Sequence, residues 1–189
     1  MNRRDIFRVI GAAGAAAALP APARDFPKNY DPEKELARPG WKPIFFDAHQ
    51  NDTMIALSDL VIPATDTPGA KEALANRFID SIMAVEPTEV QREFLGALAF
   101  LDGESMERYR AAFLHASREQ QTELLSYMAH PQTLEMWGGS VKGRLAAHTH
   151  FLVLKDWIAR AYYSSEIGNR ELGSDGTAPH GQFTGCEKE

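Results

Sequence analysis

The chain has 189 residues and a formal net charge of −6 at pH 7, with 44% hydrophobic and 24% charged residues. This length and composition are typical of one globular domain with a sizeable core. An acidic chain without a clustered basic face is not expected to bind nucleic acid. Because Cys186 is the single cysteine, no internal disulfide can form, and in an exported protein it would be a free thiol or half of an intermolecular bridge.

The first 23 residues have the layout of an export signal. Arg3 and Arg4 precede a short, weakly apolar run at 9–19, and small residues follow at 21–23. The run is far shorter than the ~20 residues that span a bilayer, so we expect no membrane span. The paired arginines favour the twin-arginine route, which exports folded proteins, over an ordinary secretory leader. We therefore expect residues 1–23 to be a twin-arginine signal peptide and the protein to be periplasmic.

The remaining chain divides into three parts. Residues 24–45 are rich in proline and charge and predict an extended tether. Apolar residues at helical spacing predict helices throughout 46–167, and no segment shows the alternation of a strand. The composition changes at Gly168, so we expect an irregular C-terminal arm over 168–189. The expected fold is all-α, an irregular bundle of five to six helices between the extended N-terminal segment and this arm.

Capping and breaking residues predict where the helices begin and end. Asp47 is an expected N-cap, and Pro63 ends the first helix. Thr88 and Ser117 each begin a capping-box sequence, in which a hydroxyl and an amide satisfy backbone donors reciprocally. The other helices are expected over 70–84, from 88 to about 103, over 106–115, from 117 through 128, and over 141–164.

Motifs that carry chemistry are absent from the sequence. We find no dinucleotide or phosphate loop, no nucleophile elbow and no cysteine pair for c-type haem. The histidines do not have the i,i+3 or i,i+4 spacing that would place two of them on one helix face. They are His49, His115, His130, His148, His150 and His180. We therefore expect no catalytic, cofactor-binding or metal-binding residue in this chain.

Two segments are too distinctive for simple connections. Residues 62–70 combine two prolines and a glycine with threonines, and such a rigid loop can present its backbone and hydroxyls to a partner. The alternative is a stiff turn that only lowers chain entropy. Residues 162–168 begin with tandem tyrosines, which are frequent at interfaces, although a helix end packed under the arm is the alternative. The expected interface residues are Pro63, Thr65, Asp66, Thr67, Pro68, Gly69, Tyr162, Tyr163, Ser164 and Glu166.

These segments also carry a family resemblance. The N-R-R-D-I start, the 62–70 loop, Phe78-Ile79-Asp80, the stretch from Phe94 to Asp102 and the run at 162–168 resemble the gluconate 2-dehydrogenase subunit 3 family. The resemblance implies a non-catalytic small subunit without a cofactor of its own. Its partner would be a FAD-dependent dehydrogenase of the glucose–methanol–choline (GMC) type, in some systems joined by a cytochrome c subunit that carries haem c. The small subunit would escort the catalytic one through export and support its maturation.

Three further points stay open. Cys186 could form a disulfide with the partner in an oxidising compartment. A stand-alone periplasmic carbohydrate-active enzyme would use carboxylates such as Glu93, Asp102 or Glu166. A direct electron relay would use aromatic side chains. Those side chains are Trp41, Trp137, Trp157, Tyr162 and Tyr163.

Overall fold

A computed structural model describes residues 32–130 and 141–173. This part of the chain forms α-helices and one 3₁₀ helix and contains no strand, which confirms the all-α prediction. The helices are α1 (Pro32–Leu36), α2 (Ala48–Val61), α3 (Ala75–Met83), α4 (Thr88–Tyr109), the 3₁₀ helix (Phe113–His115), α5 (Arg118–Ala129), α6 (Val141–Tyr163) and α7 (Glu166–Glu171). In these residues no helix has the length and apolar character needed to cross a membrane. The predicted signal peptide at 1–23 and Cys186 lie outside the described residues.

The central element of the bundle is α6, which packs against α3, α4, α5 and α7. Leu154, Ile158 and Tyr162 recur every four residues along α6 and are fully buried, because this spacing places them on one face of the helix. Phe94 of α4 meets the ring of Trp157 edge-on at 6.4 Å between centroids. Each large apolar side chain buried in this way contributes about 1.5–3 kcal/mol, so the buried face of α6 stabilises the bundle.

Two of the predicted helix starts are confirmed. The Asp47 side chain accepts a hydrogen bond from the Gln50 amide at 2.8 Å, and the Gln50 side chain accepts one from the Asp47 amide. Ser117 and Gln120 form the same reciprocal pair at the start of α5. These caps satisfy backbone donors that would otherwise lack partners in the first turn.

The predicted capping box at Thr88 is wrong. Pro87 occupies the N-cap position, and Thr88 is already helical. The Gln91 side chain, which the box would direct to the N-cap amide, instead donates to the Met83 carbonyl at 2.8 Å. It therefore fastens the end of α3 to the start of α4 rather than closing its own helix.

The predicted break at Gly103 is also wrong, since α4 continues to Tyr109 and the expected helix over 106–115 is replaced by the 3₁₀ turn. A glycine within a helix costs only about 1 kcal/mol relative to alanine, less than the burial of Leu101 on the same helix contributes. The helix ends where Arg110 adopts a left-handed φ of 58°. Similarly, α3 begins at Ala75 rather than Ala70 because Leu74 is left-handed, with a φ of 56°.

The predicted extended tether contains the short helix α1, and its last residues are fixed to α3. Asp80 is fully buried, and its carboxylate accepts hydrogen bonds from the amides of Ile44 at 2.9 Å, Phe45 at 3.0 Å and Phe46 at 2.8 Å. One turn earlier, Arg77 donates to the Leu36 carbonyl at 2.6 Å. We call residues 36–46 the strap. A single carboxylate thus pairs three amides of the strap, of which only that of Phe46 is fully buried.

Replacement of Asp80 should therefore destabilise the fold strongly. Asp80→Ala removes the acceptor of the buried Phe46 amide, at about 1–3 kcal/mol, and of the partly buried Ile44 and Phe45 amides at a smaller cost, so we expect a loss of about 2 kcal/mol or more in urea unfolding. The control is Asp156→Asn on α6, whose side chain is 58% exposed and whose loss should change stability by less than about 0.5 kcal/mol. An Asp80→Ala protein as stable as this control would contradict the proposed role of Asp80.

A candidate docking site at the loop–helix corner

Short backbone contacts close the first distinctive segment, the loop 62–70. The Ala70 amide donates to the Ile62 carbonyl at 2.9 Å, which joins the two ends of the loop. The Gly69 amide donates to the Glu72 carboxylate at 2.9 Å. A Cβ on Gly69 would lie 2.5 Å from the Ile62 oxygen, so only glycine fits there. The loop therefore holds one shape, with its tip in solvent.

The second distinctive segment is a tight turn from α6 into α7. The Ser165 hydroxyl donates to the Tyr162 carbonyl at 2.6 Å and accepts from the Gly168 amide at 3.1 Å, which makes Ser165 the N-cap of α7. A Cβ on Gly168 would lie 2.2 Å from the Tyr162 oxygen. The sequence therefore needs glycine at this position to bring α7 against the end of α6.

The Tyr162 hydroxyl joins the two segments. The ring is only 1% exposed, and its oxygen lies 2.9 Å from the Pro68 carbonyl and 2.5 Å from a carboxylate oxygen of Glu171. Burial, followed by the hydrogen bond to Glu171, raises the pKa of Tyr162 to about 12. The hydroxyl thus remains a proton donor across the physiological pH range. We call the loop 62–70 together with residues 162–172 the corner.

The structure separates the predicted interface residues into two groups. Most are exposed or half-buried on the surface of the corner. These are Pro63, Thr65, Asp66, Thr67, Pro68, Tyr163, Ser164 and Glu166. Gly69 and Tyr162 are buried, so the expectation that they contact a partner directly is corrected. Gly69 and Tyr162 act from inside the corner. Gly69 packs against the Ile62 carbonyl, and the Tyr162 hydroxyl bonds to Pro68 and Glu171, and these contacts hold the exposed residues in place.

The tandem-tyrosine segment predicted as an interface continues into a helix, α7, that the sequence pattern did not predict. Helix α7 crosses the boundary predicted between the helical domain and the irregular arm, and Leu172 just beyond it is 66% exposed. Tyr163, the last residue of α6, is 45% exposed. The signal was present, because a serine followed by an acidic residue in the first turn is a helix start, and Ser165 with Glu166 has that pattern.

The exposed surface of the corner combines apolar side chains with charged ones. Pro63, Pro68, Tyr163 and Leu172 supply apolar area, the composition expected at an interface. The pKa of Asp66 is lowered because the Thr65 hydroxyl donates to its carboxylate at 2.9 Å. Asp66 therefore stays ionised at the tip of the loop.

The carboxylates expected for a stand-alone enzyme do not converge. Glu93 and Asp102 lie on the same helix about 13 Å apart along its axis, and Glu166 on α7 pairs with Arg170. Over the described ranges, no group of histidine, cysteine or carboxylate side chains is arranged to hold a metal ion. No arrangement at the corner resembles a catalytic nucleophile with a base.

The relay aromatics are likewise occupied by packing. Trp157 meets Phe94 inside the bundle, and the Arg77 guanidinium lies 5.0 Å from the centroid of the Trp41 ring. Tyr163 packs edge-on to Tyr162 at 5.1 Å between centroids. Trp137 lies outside the described residues. These contacts account for the positions of the described aromatic residues as packing partners.

A second polar cluster, which the sequence analysis did not identify, links three elements away from these segments. His49 Nε2 of α2 lies 2.6 Å from Asp102 Oδ2 of α4, while Asp102 Oδ1 accepts from the Phe113 amide at 2.9 Å. The pair borders a cavity of about 140 Å³ that is also lined by Thr53 and Leu98. The hydrogen bond to Asp102 is the main reason that the pKa of His49 is raised.

The fold and the corner define a small helical protein with a rigid, partly apolar exposed surface. The sequence profile of the gluconate 2-dehydrogenase subunit 3 family matches residues 48–176. The chain therefore belongs to the gluconate 2-dehydrogenase subunit 3 family. A search of curated proteins and a search of solved structures found no significant match.

The close backbone contact at Gly168 predicts a contrast between two glycines. Gly168→Ala should lower the free energy of unfolding by about 1–3 kcal/mol, because its Cβ would overlap the Tyr162 carbonyl. Gly103→Ala should instead stabilise by up to about 1 kcal/mol, because its helical position has open space around it. Urea unfolding measures the change in the free energy of unfolding for both variants. Equal changes of the same sign would show that Gly168 has room for a Cβ beside the Tyr162 carbonyl.

The His49–Asp102 pair predicts a pH dependence of stability. Folding raises the pKa of His49 above 6.5, so its contribution is complete below pH 6.5 and is lost as the pH rises through the raised value. The destabilisation caused by His49→Gln should therefore be larger at about pH 5 than at about pH 9. His115→Gln, at an exposed histidine, is the control. A His49→Gln effect that is equal at both pH values would contradict this.

Proposed function

We propose that this chain is a non-catalytic accessory subunit of a periplasmic sugar or sugar-acid dehydrogenase, and that it binds the FAD-dependent, GMC-type catalytic subunit through the corner. Membership of the subunit 3 family supports a place in a dehydrogenase complex. The rigid structure of the corner is the observation that supports it as the binding surface. Two glycines without room for a Cβ and one buried hydroxyl hold apolar residues in solvent.

Rigidity of this kind favours binding. A surface that is already held in its bound shape loses little conformational entropy on association, so more of the interaction energy appears as affinity. Exposed Leu172 and Tyr163 offer apolar area, and ionised Asp66 offers one fixed charge. We propose that the catalytic subunit covers the apolar residues and places a basic side chain opposite Asp66.

Binding would couple two tasks of the small subunit. A protein that binds only the folded catalytic subunit stabilises it by mass action, which supports its maturation with FAD bound. The twin-arginine signal proposed for residues 1–23 would direct the pair to the export route as a folded unit. In this scheme FAD belongs to the catalytic subunit, and haem c belongs to a cytochrome subunit where one is present.

The export part of the proposal has its own test. The chain is co-expressed with the catalytic subunit, and the catalytic subunit and its bound FAD are measured in periplasm and cytoplasm. We expect the catalytic subunit to stay cytoplasmic with Arg3→Lys,Arg4→Lys, and to be cytoplasmic or depleted when this chain is absent. Normal export and full FAD loading of the catalytic subunit alone would refute the escort role.

The docking surface predicts a difference between two exposed apolar residues. Leu172→Asp should weaken binding to the purified catalytic subunit by at least tenfold, because it places a charge within the buried area. Val85→Asp is the matched control, since Val85 is 70% exposed and Leu172 is 66% exposed, but Val85 lies outside the corner. Isothermal titration calorimetry or surface plasmon resonance measures the affinity of both variants for the catalytic subunit. Equal affinities for Leu172→Asp and the unaltered chain would place the interface elsewhere.

Cys186 remains a candidate for a disulfide to the partner, and it lies outside the described residues. Electrophoresis of the purified complex with and without a reductant tests the bridge. A band of the combined mass that disappears on reduction, and that Cys186→Ser abolishes, supports it. Separate bands without reductant would exclude it.

A further inference from the structure

We propose that Tyr162 is a positioning residue whose hydroxyl makes the loop 62–70 and α7 bind the partner as one surface. The inference rests on the proposed docking function and adds a mechanism to it. Tyr162 touches no partner in this account, because its ring is 1% exposed. It acts through the residues that it holds, namely Pro68 on one side and Glu171 on the other.

The geometry at the hydroxyl brings the two segments to one point. The oxygen of Tyr162 lies 2.9 Å from the Pro68 carbonyl and 2.5 Å from the Glu171 carboxylate, so its single proton is shared between an acceptor of the loop and an acceptor of α7. A hydrogen bond to a charged acceptor is roughly twice as strong as one between neutral groups. A movement of α7 that carries Glu171 away therefore changes the hydrogen bond available to the loop.

The backbone on both sides leaves little freedom for other arrangements. Gly69 follows Pro68 directly and is packed on the Ile62 carbonyl, and Gly168 is packed on the carbonyl of Tyr162 itself. Both segments are thus rigid up to the point where they meet. A rigid element passes a displacement to its neighbour, whereas a flexible one absorbs it.

The exposed groups lie within a few residues of this junction. Asp66 is two residues from Pro68 on the loop, and Leu172 follows Glu171 directly. A partner that contacts Leu172 would fix the position of Glu171, and through the hydroxyl it would fix the loop that carries Asp66. Contacts at these two positions should therefore be energetically coupled, and the coupling should need the Tyr162 hydroxyl.

A double-mutant cycle measures this coupling. Asp66→Asn, Leu172→Ser and their combination are made in the full chain, and the affinity of each for the purified FAD-containing catalytic subunit is determined. In the presence of Tyr162 the double variant should differ from the product of the single effects by at least fivefold. In the Tyr162→Phe background the effects should multiply, and Tyr162→Phe alone should weaken binding about tenfold.

Tyr109→Phe is the matched control for a merely structural effect. Tyr109 is partly buried and its pKa is raised by burial and by the nearby charge of Glu123, so its replacement also removes a tyrosine hydroxyl close to a glutamate, but outside the corner. Both tyrosine variants should lower the midpoint of urea unfolding. Only Tyr162→Phe should abolish the coupling between Asp66 and Leu172.

Every outcome of this set decides the question. If the unaltered chain does not bind the catalytic subunit, the proposed function fails together with the inference. If it binds and the coupling persists in Tyr162→Phe, the inference is overturned while the docking function stands. Should Tyr162→Phe not fold, Glu171→Ala removes the same hydrogen bond from an exposed residue of α7, and persistence of the coupling in that variant overturns the inference equally.

Discussion

The corner depends on one shared hydroxyl. Tyr162 comes from the central helix α6, where its ring is part of the core, and its oxygen reaches both the loop and α7. Burial of the ring fixes where the hydroxyl lies, and its two hydrogen bonds are partly buried, so solvent replaces them only in part. Tyr162 therefore belongs both to the apolar face of α6 and to the interactions that hold the exposed surface of the corner. Loss of packing in the bundle would also alter the surface that we assign to docking.

A second buried polar side chain, that of Asp80, also fixes an irregular segment to the helices. Asp80 on α3 binds the amides of the strap, so a segment without regular hydrogen bonding is fixed on the bundle. In both places an irregular segment is held by one side chain from a regular helix. Fixing a segment with one side chain suits a small protein, because few of its residues are available for a core and loops form much of its surface.

Sequence patterns over a few neighbouring residues predicted the features that depend on interactions between such residues. The all-α class, the caps at Asp47 and Ser117 and the stiffness of the 62–70 loop follow from neighbouring residues. The hydrogen bonds of Asp80 were beyond such reasoning, because their partners lie 34 to 36 positions away in sequence. Tandem tyrosines suit an interface and a core alike, so only the packing distinguishes buried Tyr162 from exposed Tyr163. Gly103 was wrongly expected to end the helix, because the burial of apolar side chains along α4 outweighs the modest cost of a glycine within a helix.

The central claim is that the corner is the surface that meets the catalytic subunit. Hydrogen–deuterium exchange of the chain, alone and saturated with the purified FAD-containing subunit, tests it most directly. The account predicts slower exchange in peptides that cover 62–70 and 162–172, with little change in peptides from α5. Protection confined to α5, or no protection at all in a complex that demonstrably forms, would contradict it.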